Sequence, residues 1–167
     1  MSQSIPDAVL RASGTNAFKE RQPEVPIART QRETAAVLGG VPLFHGFSKR
    51  HLQRLAKDTD ELSYEPGQRV VEEGNPGEAL FVVLAGQAKV VRNRRTVGHV
   101  VPGDFFGELS ALDGGPRTAT IVAETPVRVL RLFRRTLVTL IEDEPQLSLK
   151  LLDGIARRIR QVERGNG

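Results

Sequence analysis

The pattern of hydrophobic and polar positions divides the chain into an irregular start, a run of short strands and helical segments on either side of that run. Residues 1–35 show no sustained apolar period and contain three prolines and one glycine, which is typical of a flexible arm. The remaining residues are enough for one domain with its own core. We therefore expect a flexible arm over 1–35 and one domain over 36–164.

Short segments rich in valine, isoleucine and leucine, separated by glycine, proline and asparagine turns, fill the middle of the chain. Segments of this kind at this spacing are typical of strands in a barrel or sandwich. The intervening turns supply the positive or fixed φ angles that tight reversals need. The pattern predicts a compact antiparallel β-roll with strands at 61–64, 68–73, 79–86, 88–93, 96–101, 118–124 and 127–133.

Two helical regions are expected to flank the strands. Before them, Ser48 can cap a helix. That helix has three apolar residues on one face: Leu52, Leu55 and Ala56. After the strands, helical spacing covers 134–144, breaks near Pro145 and resumes over 146–165.

The last predicted helix carries an apolar stripe formed by Leu152, Ile155, Ile159 and Val162. Steps of three and four residues are the spacing of a coiled-coil seam, but two heptads also fit ordinary packing against a core. The stripe therefore leaves two interpretations open, core packing or a homodimer through the C-terminal helix.

Composition narrows the functional classes. The chain has no cysteine, which excludes a disulfide scaffold, a thiol nucleophile and a thiolate zinc site, and fits the reducing cytoplasm. No signal peptide or membrane span is predicted. The net charge is +4, but the arginines are spread out, and we interpret their small groups as solvated faces. These groups are Arg92, Arg94 and Arg95, then Arg128, Arg131, Arg134 and Arg135, and finally Arg157, Arg158, Arg160 and Arg164.

An enzyme is not expected. The three histidines, His45, His51 and His99, lack the spacing of metal ligands, so no metal site is predicted. The acidic groups at 58–61 and 142–144 are interpreted as solvated helix ends.

The segment 102–120 carries the strongest chemical signal. Gly107 precedes about a turn and a half of helix, where a ligand can approach free backbone N–H groups, and this favours an oxyanion. Arg117 follows a Gly-Gly-Pro turn and can neutralise the same anion. Glu108 would repel a phosphate unless it accepts a hydrogen bond from a sugar hydroxyl. Taken singly, each residue also fits an ordinary turn, cap or surface charge.

Residues 106–123 resemble the phosphate-binding cassette of the cyclic nucleotide-binding domain family, and the resemblance covers roughly 41–162. It implies a mainly β, α+β fold: an eight-stranded jelly-roll-like β-barrel with N-terminal helices, a short cassette helix and C-terminal helices. It also implies a site in which Glu108 holds the ribose 2′-hydroxyl and Arg117 the cyclic phosphate, and in which valines at 70, 83 and 91 line the base. The expected binding residues are Phe106, Gly107, Glu108, Leu109, Ser110, Arg117, Thr118 and Ala119.

The family resemblance makes cAMP the first expected ligand, because bacterial relatives with Pro-Arg-Thr at this place use it. cGMP comes second, because a threonine such as Thr118 favours it in some relatives. The resemblance implies a sensor whose C-terminal helix moves over the pocket on ligand capture and signals to an unidentified effector protein. The catabolite activators of the family place a Thr-Ser pair against adenine, where this chain has Val162 and Glu163.

Two other classes of protein compete with a cyclic-nucleotide sensor. A non-binding β-roll used for oligomerisation or protein interaction is the alternative, and the presence of both Glu108 and Arg117 argues against it. A DNA-binding regulator would need a helix-turn-helix, and none follows the last predicted helix, so DNA binding by this chain alone is not expected.

Overall fold

The computed structural model describes residues 25–165, which form two antiparallel sheets and five α-helices. The strands are β1 (Val25–Pro26), β2 (Thr59–Tyr64), β3 (Arg69–Val71), β4 (Ala79–Ala85), β5 (Ala88–Arg92), β6 (Arg95–Val100), β7 (Phe105–Phe106), β8 (Thr120–Ala123) and β9 (Val127–Phe133). The helices are α1 (Gln31–Gly39), α2 (Lys49–Ala56), α3 (Glu108–Asp113), α4 (Arg134–Asp143) and α5 (Gln146–Gly165), with a 3-10 turn at Pro42–Phe44. The mainly β roll with flanking helices is thereby confirmed.

The two sheets face each other across an apolar interior. One has the strand order β1-β2-β9-β4-β7 and the other β3-β8-β5-β6. Strand β4 is buried on both of its faces, so its side chains alternate between two cores. Phe81 and Val83 point between the sheets, whereas Leu80 and Val82 pack against the helices. A helical layer therefore covers the outer face of the five-stranded sheet.

The seven strands predicted from the sequence are all present, and two strands of two residues each, β1 and β7, were not predicted. Periodicity cannot detect a strand so short, because alternation needs several residues to show. Ser48 caps α2 as predicted, since its side chain accepts a hydrogen bond from the His51 N–H. Pro145 separates α4 from α5.

The structure differs from the expected arm at residues 25–35; the rest of the predicted arm lies outside the described residues. Strand β1 pairs with β2, and α1 begins at Gln31. The signal for this helix was a capping box, in which Thr30 and Glu33 each bond the other's backbone N–H. That motif lies within the predicted arm, and the helix that it starts crosses the predicted boundary at residue 36.

The acidic group near residue 60 also differs from its prediction as a solvated helix end. Asp60 and Glu61 lie in β2, and the Glu61 side chain is only 2% exposed. Its carboxylate accepts from Arg29 Nε at 2.6 Å and from Arg128 Nη1 at 3.2 Å. The hydrogen-bonded pair with Glu61 raises the pKa of Arg29, so these charges stabilise one another.

Candidate functional site

A cavity of about 380 Å³ opens between the four-stranded sheet, α3 and the second half of α5. The eight residues expected to bind a ligand all line it. The lining residues are Val71, Val90, Arg92, Phe106, Gly107, Glu108, Leu109, Ser110, Arg117, Thr118, Ala119, Ile121, Ile155, Arg158, Ile159, Val162 and Glu163. Residues far apart in the sequence thus meet around one space.

Gly107 starts the short helix α3 in a left-handed conformation, with φ of 80°. A Cβ at this position would lie 2.7 Å from Arg117 Nη1 and 2.8 Å from the Ala79 carbonyl oxygen, so the site has no room for a side chain here. The first helical hydrogen bond runs from the Ala111 N–H to the Gly107 carbonyl at 3.1 Å. The N–H groups before it are those that a helix start leaves without helical partners.

Arg117 is a buried cation, only 7% exposed, at the inner end of the cavity. Its Nη1 donates to the carbonyl oxygens of Ala79 at 2.8 Å and Gly107 at 3.3 Å, and its Cζ lies 5.6 Å from the centre of the Phe81 ring. Among the described residues, no carboxylate forms an ion pair with it. Burial lowers the pKa of Arg117, and the charge of Glu108 opposes that shift.

Only one nitrogen of the Arg117 guanidinium donates hydrogen bonds to the described residues. Both hydrogen bonds come from Nη1, whereas Nε and Nη2 form the edge of the guanidinium that binds an oxyanion with two parallel hydrogen bonds. An arginine stays protonated at neutral pH, and a buried charge without a counterion is costly. An anion in the cavity would relieve that cost.

Glu108, 5% exposed, pairs with Arg158 of α5. The Arg158 guanidinium also lies 4.8 Å from the centre of the Phe105 ring. The prediction that Arg158 lies on a solvated face was therefore wrong. Its spacing with Ile155, Ile159 and Val162 on one helix face was the signal that could have identified it.

The apolar wall differs from the expected one. Val71, Val90 and Ile121 line the cavity, whereas Val70 and Val83 are buried between the two sheets. The expectation for Val70, Val83 and Val91 was wrong. For β3, the pairing with β8 is irregular between Arg69 and Val71, which flank Val70. An irregularity of this kind shifts the alternation of side chains.

The apolar stripe of α5 is mostly exposed and does not belong to the core. Leu152 is 59% exposed, Ile159 54% and Val162 53%. The interpretation that the whole stripe packs against the core is therefore wrong. Ile155, Ile159 and Val162 border the cavity together with Glu163.

No group of three or more histidine, aspartate or glutamate side chains within residues 25–165 could hold a metal ion. His51 contacts Glu144 at 2.8 Å, and His99 contacts Glu124 at 3.2 Å. In the same part of the chain, no helix is long and apolar enough to cross a bilayer.

A β-roll closed by helices thus carries a buried arginine and a glycine-led helix at one cavity, an arrangement that suits an anion. The model of the cyclic nucleotide-binding domain matches residues 61–144. This chain belongs to that family.

The curated relatives include bacterial regulators and fungal kinase subunits. The chain is 33% identical over 131 residues to a CRP-like cAMP-activated global transcriptional regulator of Mycobacterium tuberculosis, with 75% of this chain and 58% of that protein covered. It is 33% identical over 129 residues to the cyclic AMP receptor protein of Thermus thermophilus, with 74% and 60% covered. The chain thus spans less than two thirds of the length of these regulators.

Solved structures agree with the fold. A cyclic nucleotide-binding domain from Methylobacillus flagellatus superposes with a TM-score of 0.68 at 27% identity, covering 84% of this chain and 86% of that one. The catabolite activator protein of Thermus thermophilus superposes with a TM-score of 0.65 at 32% identity, covering 74% and 61%.

Proposed function

We propose that this chain is a regulatory module that binds cAMP in the cavity beside α3, and that it is not an enzyme. The observation that carries the proposal is the buried Arg117, whose Nε and Nη2 have no protein acceptor among the described residues. The relatives from Mycobacterium tuberculosis and Thermus thermophilus, whose names refer to cAMP, support this ligand. The proposed module comprises residues 36–164 together with the preceding β1 and the start of α1, and follows an arm. It is proposed to act in the cytoplasm on an effector protein.

The proposed binding mode uses each part of the site for one part of the nucleotide. The cyclic phosphate accepts hydrogen bonds from Arg117 and from backbone N–H groups at the start of α3. The Glu108 carboxylate accepts from the ribose 2′-hydroxyl. The purine lies against Val71, Val90 and Ile121 of the sheet. The remaining cassette residues, namely Phe106, Leu109, Ser110, Thr118 and Ala119, close the space around the sugar and phosphate.

Ligand binding is proposed to change the position of α5. In the structure Glu108 is paired with Arg158 of α5, and a ribose hydroxyl would compete for, or share, the same carboxylate. The ligand shifts α5 only by its difference in affinity for the two helix positions. The test is hydrogen exchange of residues 152–163 with and without saturating cAMP; identical exchange would contradict the movement.

Isothermal titration calorimetry with cAMP, cGMP and 5′-AMP tests the ligand. We expect cAMP to bind most tightly, cGMP more weakly and 5′-AMP not measurably, because the proposed binding mode holds a cyclic phosphodiester at Arg117 and the ribose at Glu108. Failure of both cyclic nucleotides to bind folded protein at about millimolar concentration, a free energy near 4 kcal/mol, would contradict the proposal.

We also propose a homodimer through α5. The specific support is the exposed apolar stripe, which Leu149, 67% exposed, extends toward the helix start. Sedimentation velocity should show a dimer for the wild type and a monomer for Leu152→Glu. Val97→Glu is the matched control, because Val97 is similarly exposed, at 57%, but lies on β6. A wild type that stays monomeric, or a Leu152→Glu variant that stays dimeric, would contradict the interface.

A further inference from the structure

The second half of α5 has no buried side chain. Leu147 and Leu151 are buried, at 0% and 2% exposure, and anchor the first half of the helix. From Leu152 to Gly165 every residue is at least partly exposed. Burial of apolar side chains is the main force that fixes a helix against a protein. Contacts other than burial in the core must therefore set the position of the half of α5 that borders the cavity.

Gly154 supplies such a contact by lying directly against Phe105. A Cβ built on Gly154 would be 2.4 Å from Phe105 Cζ and 2.7 Å from its Cε1, closer than real Cβ atoms approach. Glycine in a helix interior costs about 1 kcal/mol relative to alanine. The close approach to the phenyl ring gives this unfavourable residue a structural reason.

The Phe105 ring, which α5 contacts, is held in a fixed position. It is 8% exposed and belongs to the core that includes Leu147 and Leu151. Its backbone lies in β7, where it pairs with Val82 of β4. Because core rings have little free space around them, an added methyl group at residue 154 would displace the helix rather than the ring.

The same ring also supports the residue one helical turn further on. Residues 154 and 158 lie on one helix face, and the Arg158 guanidinium lies 4.8 Å from the centre of the Phe105 ring. Arg158 in turn pairs with Glu108 in the cavity. The contact between Gly154 and Phe105 therefore sets how closely α5 approaches β7, and with it the position at which the Arg158 guanidinium meets the Glu108 carboxylate.

Phe105 and its neighbour Phe106 connect this contact to the cavity. Adjacent strand residues point to opposite faces, and Phe106 lines the cavity and stacks on Phe81 with ring centres 5.1 Å apart. Strand β7 thus contacts α5 on one face, through Phe105, and forms part of the cavity wall on the other face, through Phe106.

We propose that Gly154 is a positioning residue for the ligand site: it lets α5 rest on Phe105 at the distance that brings Ile155, Arg158 and Ile159 to the cavity. Gly154 does not line the cavity and acts through the position of α5. The proposal rests on the function proposed above, because the site it serves is the cyclic nucleotide site.

The test is Gly154→Ala, with two readouts. In protein without ligand, backbone amides of residues 155–163 should exchange about fivefold to tenfold faster than in the wild type, because the added methyl group moves the helix away from Phe105. Affinity for cAMP should fall about tenfold, or about 1.4 kcal/mol. Gly165→Ala is the matched control, because that glycine lies in the same helix with open space around it, and it should change neither readout.

Restoring the space on the other side of the contact should reverse the effect. Phe105→Leu in the Gly154→Ala background removes the atoms nearest to the added methyl group, and it should recover most of the affinity and the slow exchange. An unchanged or tighter affinity with unchanged exchange in Gly154→Ala would overturn the inference, as would a double variant no better than Gly154→Ala. If the wild type does not bind cAMP, the proposed function fails, and the exchange comparison still decides whether Gly154 positions α5.

Discussion

The cavity has two walls that are built in different ways. Val71, Val90 and Ile121 stand on strands that are hydrogen bonded to their neighbours in a four-stranded sheet. The opposite wall, which includes Ile159 and Val162, belongs to a helix half that has no buried side chain. Under the proposed function, the sheet side, whose strands are fixed by their neighbours, recognises the ligand, and the helix side, which is free to move, responds to it.

Two of the three arginines that line the cavity follow the same division. Arg117 is 7% exposed and is held by two main-chain carbonyl oxygens. The Arg158 side chain is 37% exposed and is held by a phenyl ring and one carboxylate. A cation held by the backbone stays in place when a ligand arrives, whereas one held by a side chain can exchange partners. We expect substitutions on the two walls to have effects of different size.

The largest effect is expected from Arg117→Ala. Loss of two charge-assisted hydrogen bonds to the phosphate should weaken cAMP binding by at least about 100-fold, or about 2.7 kcal/mol. Calorimetry measures the change, and Arg135→Ala, an exposed arginine on α4, is the control. An Arg117→Ala variant that binds as tightly as the wild type would remove the central support for the site.

Leu147→Ala should produce the next largest effect, on stability. Removing this fully buried side chain should lower the free energy of unfolding by about 2 to 3 kcal/mol, because a cavity is left in the core. Ile159→Ala on the same helix should change it by about 0.5 kcal/mol or less, because that side chain is half exposed. Urea unfolding compares the two variants, and equal losses would contradict the division of α5 into an anchored and a free half.

Glu108→Gln should have a smaller and ligand-dependent effect. We expect cAMP to bind about tenfold more weakly, because a neutral amide is a poorer acceptor for the 2′-hydroxyl than a carboxylate. Binding of 2′-deoxy-cAMP, which lacks that hydroxyl, should be nearly the same in both proteins. An equal loss for both ligands would show that Glu108 does not hold the sugar.

Arg158→Gln should have the smallest effect on affinity, about threefold, because a partly exposed ion pair contributes little. The hydrogen exchange of residues 155–163 should nevertheless increase, since the variant loses the pair with Glu108. A loss of affinity as large as that of Arg117→Ala would erase the distinction between the two walls.

The sequence predicted the cassette well because its signals are local. The glycine before α3, the Gly-Gly-Pro turn and Arg117 lie within eleven residues of one another, and the turn chemistry itself brings them together. The strands and the Ser48 cap were predicted for the same reason.

The parts that the sequence did not predict depend on distant contacts. The pair between Arg158 and Glu108 joins residues fifty positions apart, so the helix-face spacing of Arg158 alone does not identify its partner. Which of Val70 and Val71 faces the cavity depends on an irregularity in the pairing of β3 that alternation does not reveal. Burial of Glu61 requires knowing that Arg29 and Arg128 flank it.

Strand β1 has a practical consequence for the design of shortened proteins. It pairs with β2 through Val25 and Pro26, and proline has no N–H to offer a further strand. Strand β1 thus covers part of the β2 edge, at Leu62 and Ser63. Truncation at residue 36 would remove this covering together with Arg29, expose the β2 edge and leave Glu61 with one cation. Proteins that begin before Val25 should resist edge-to-edge polymerisation, and those that begin at residue 36 should be prone to it.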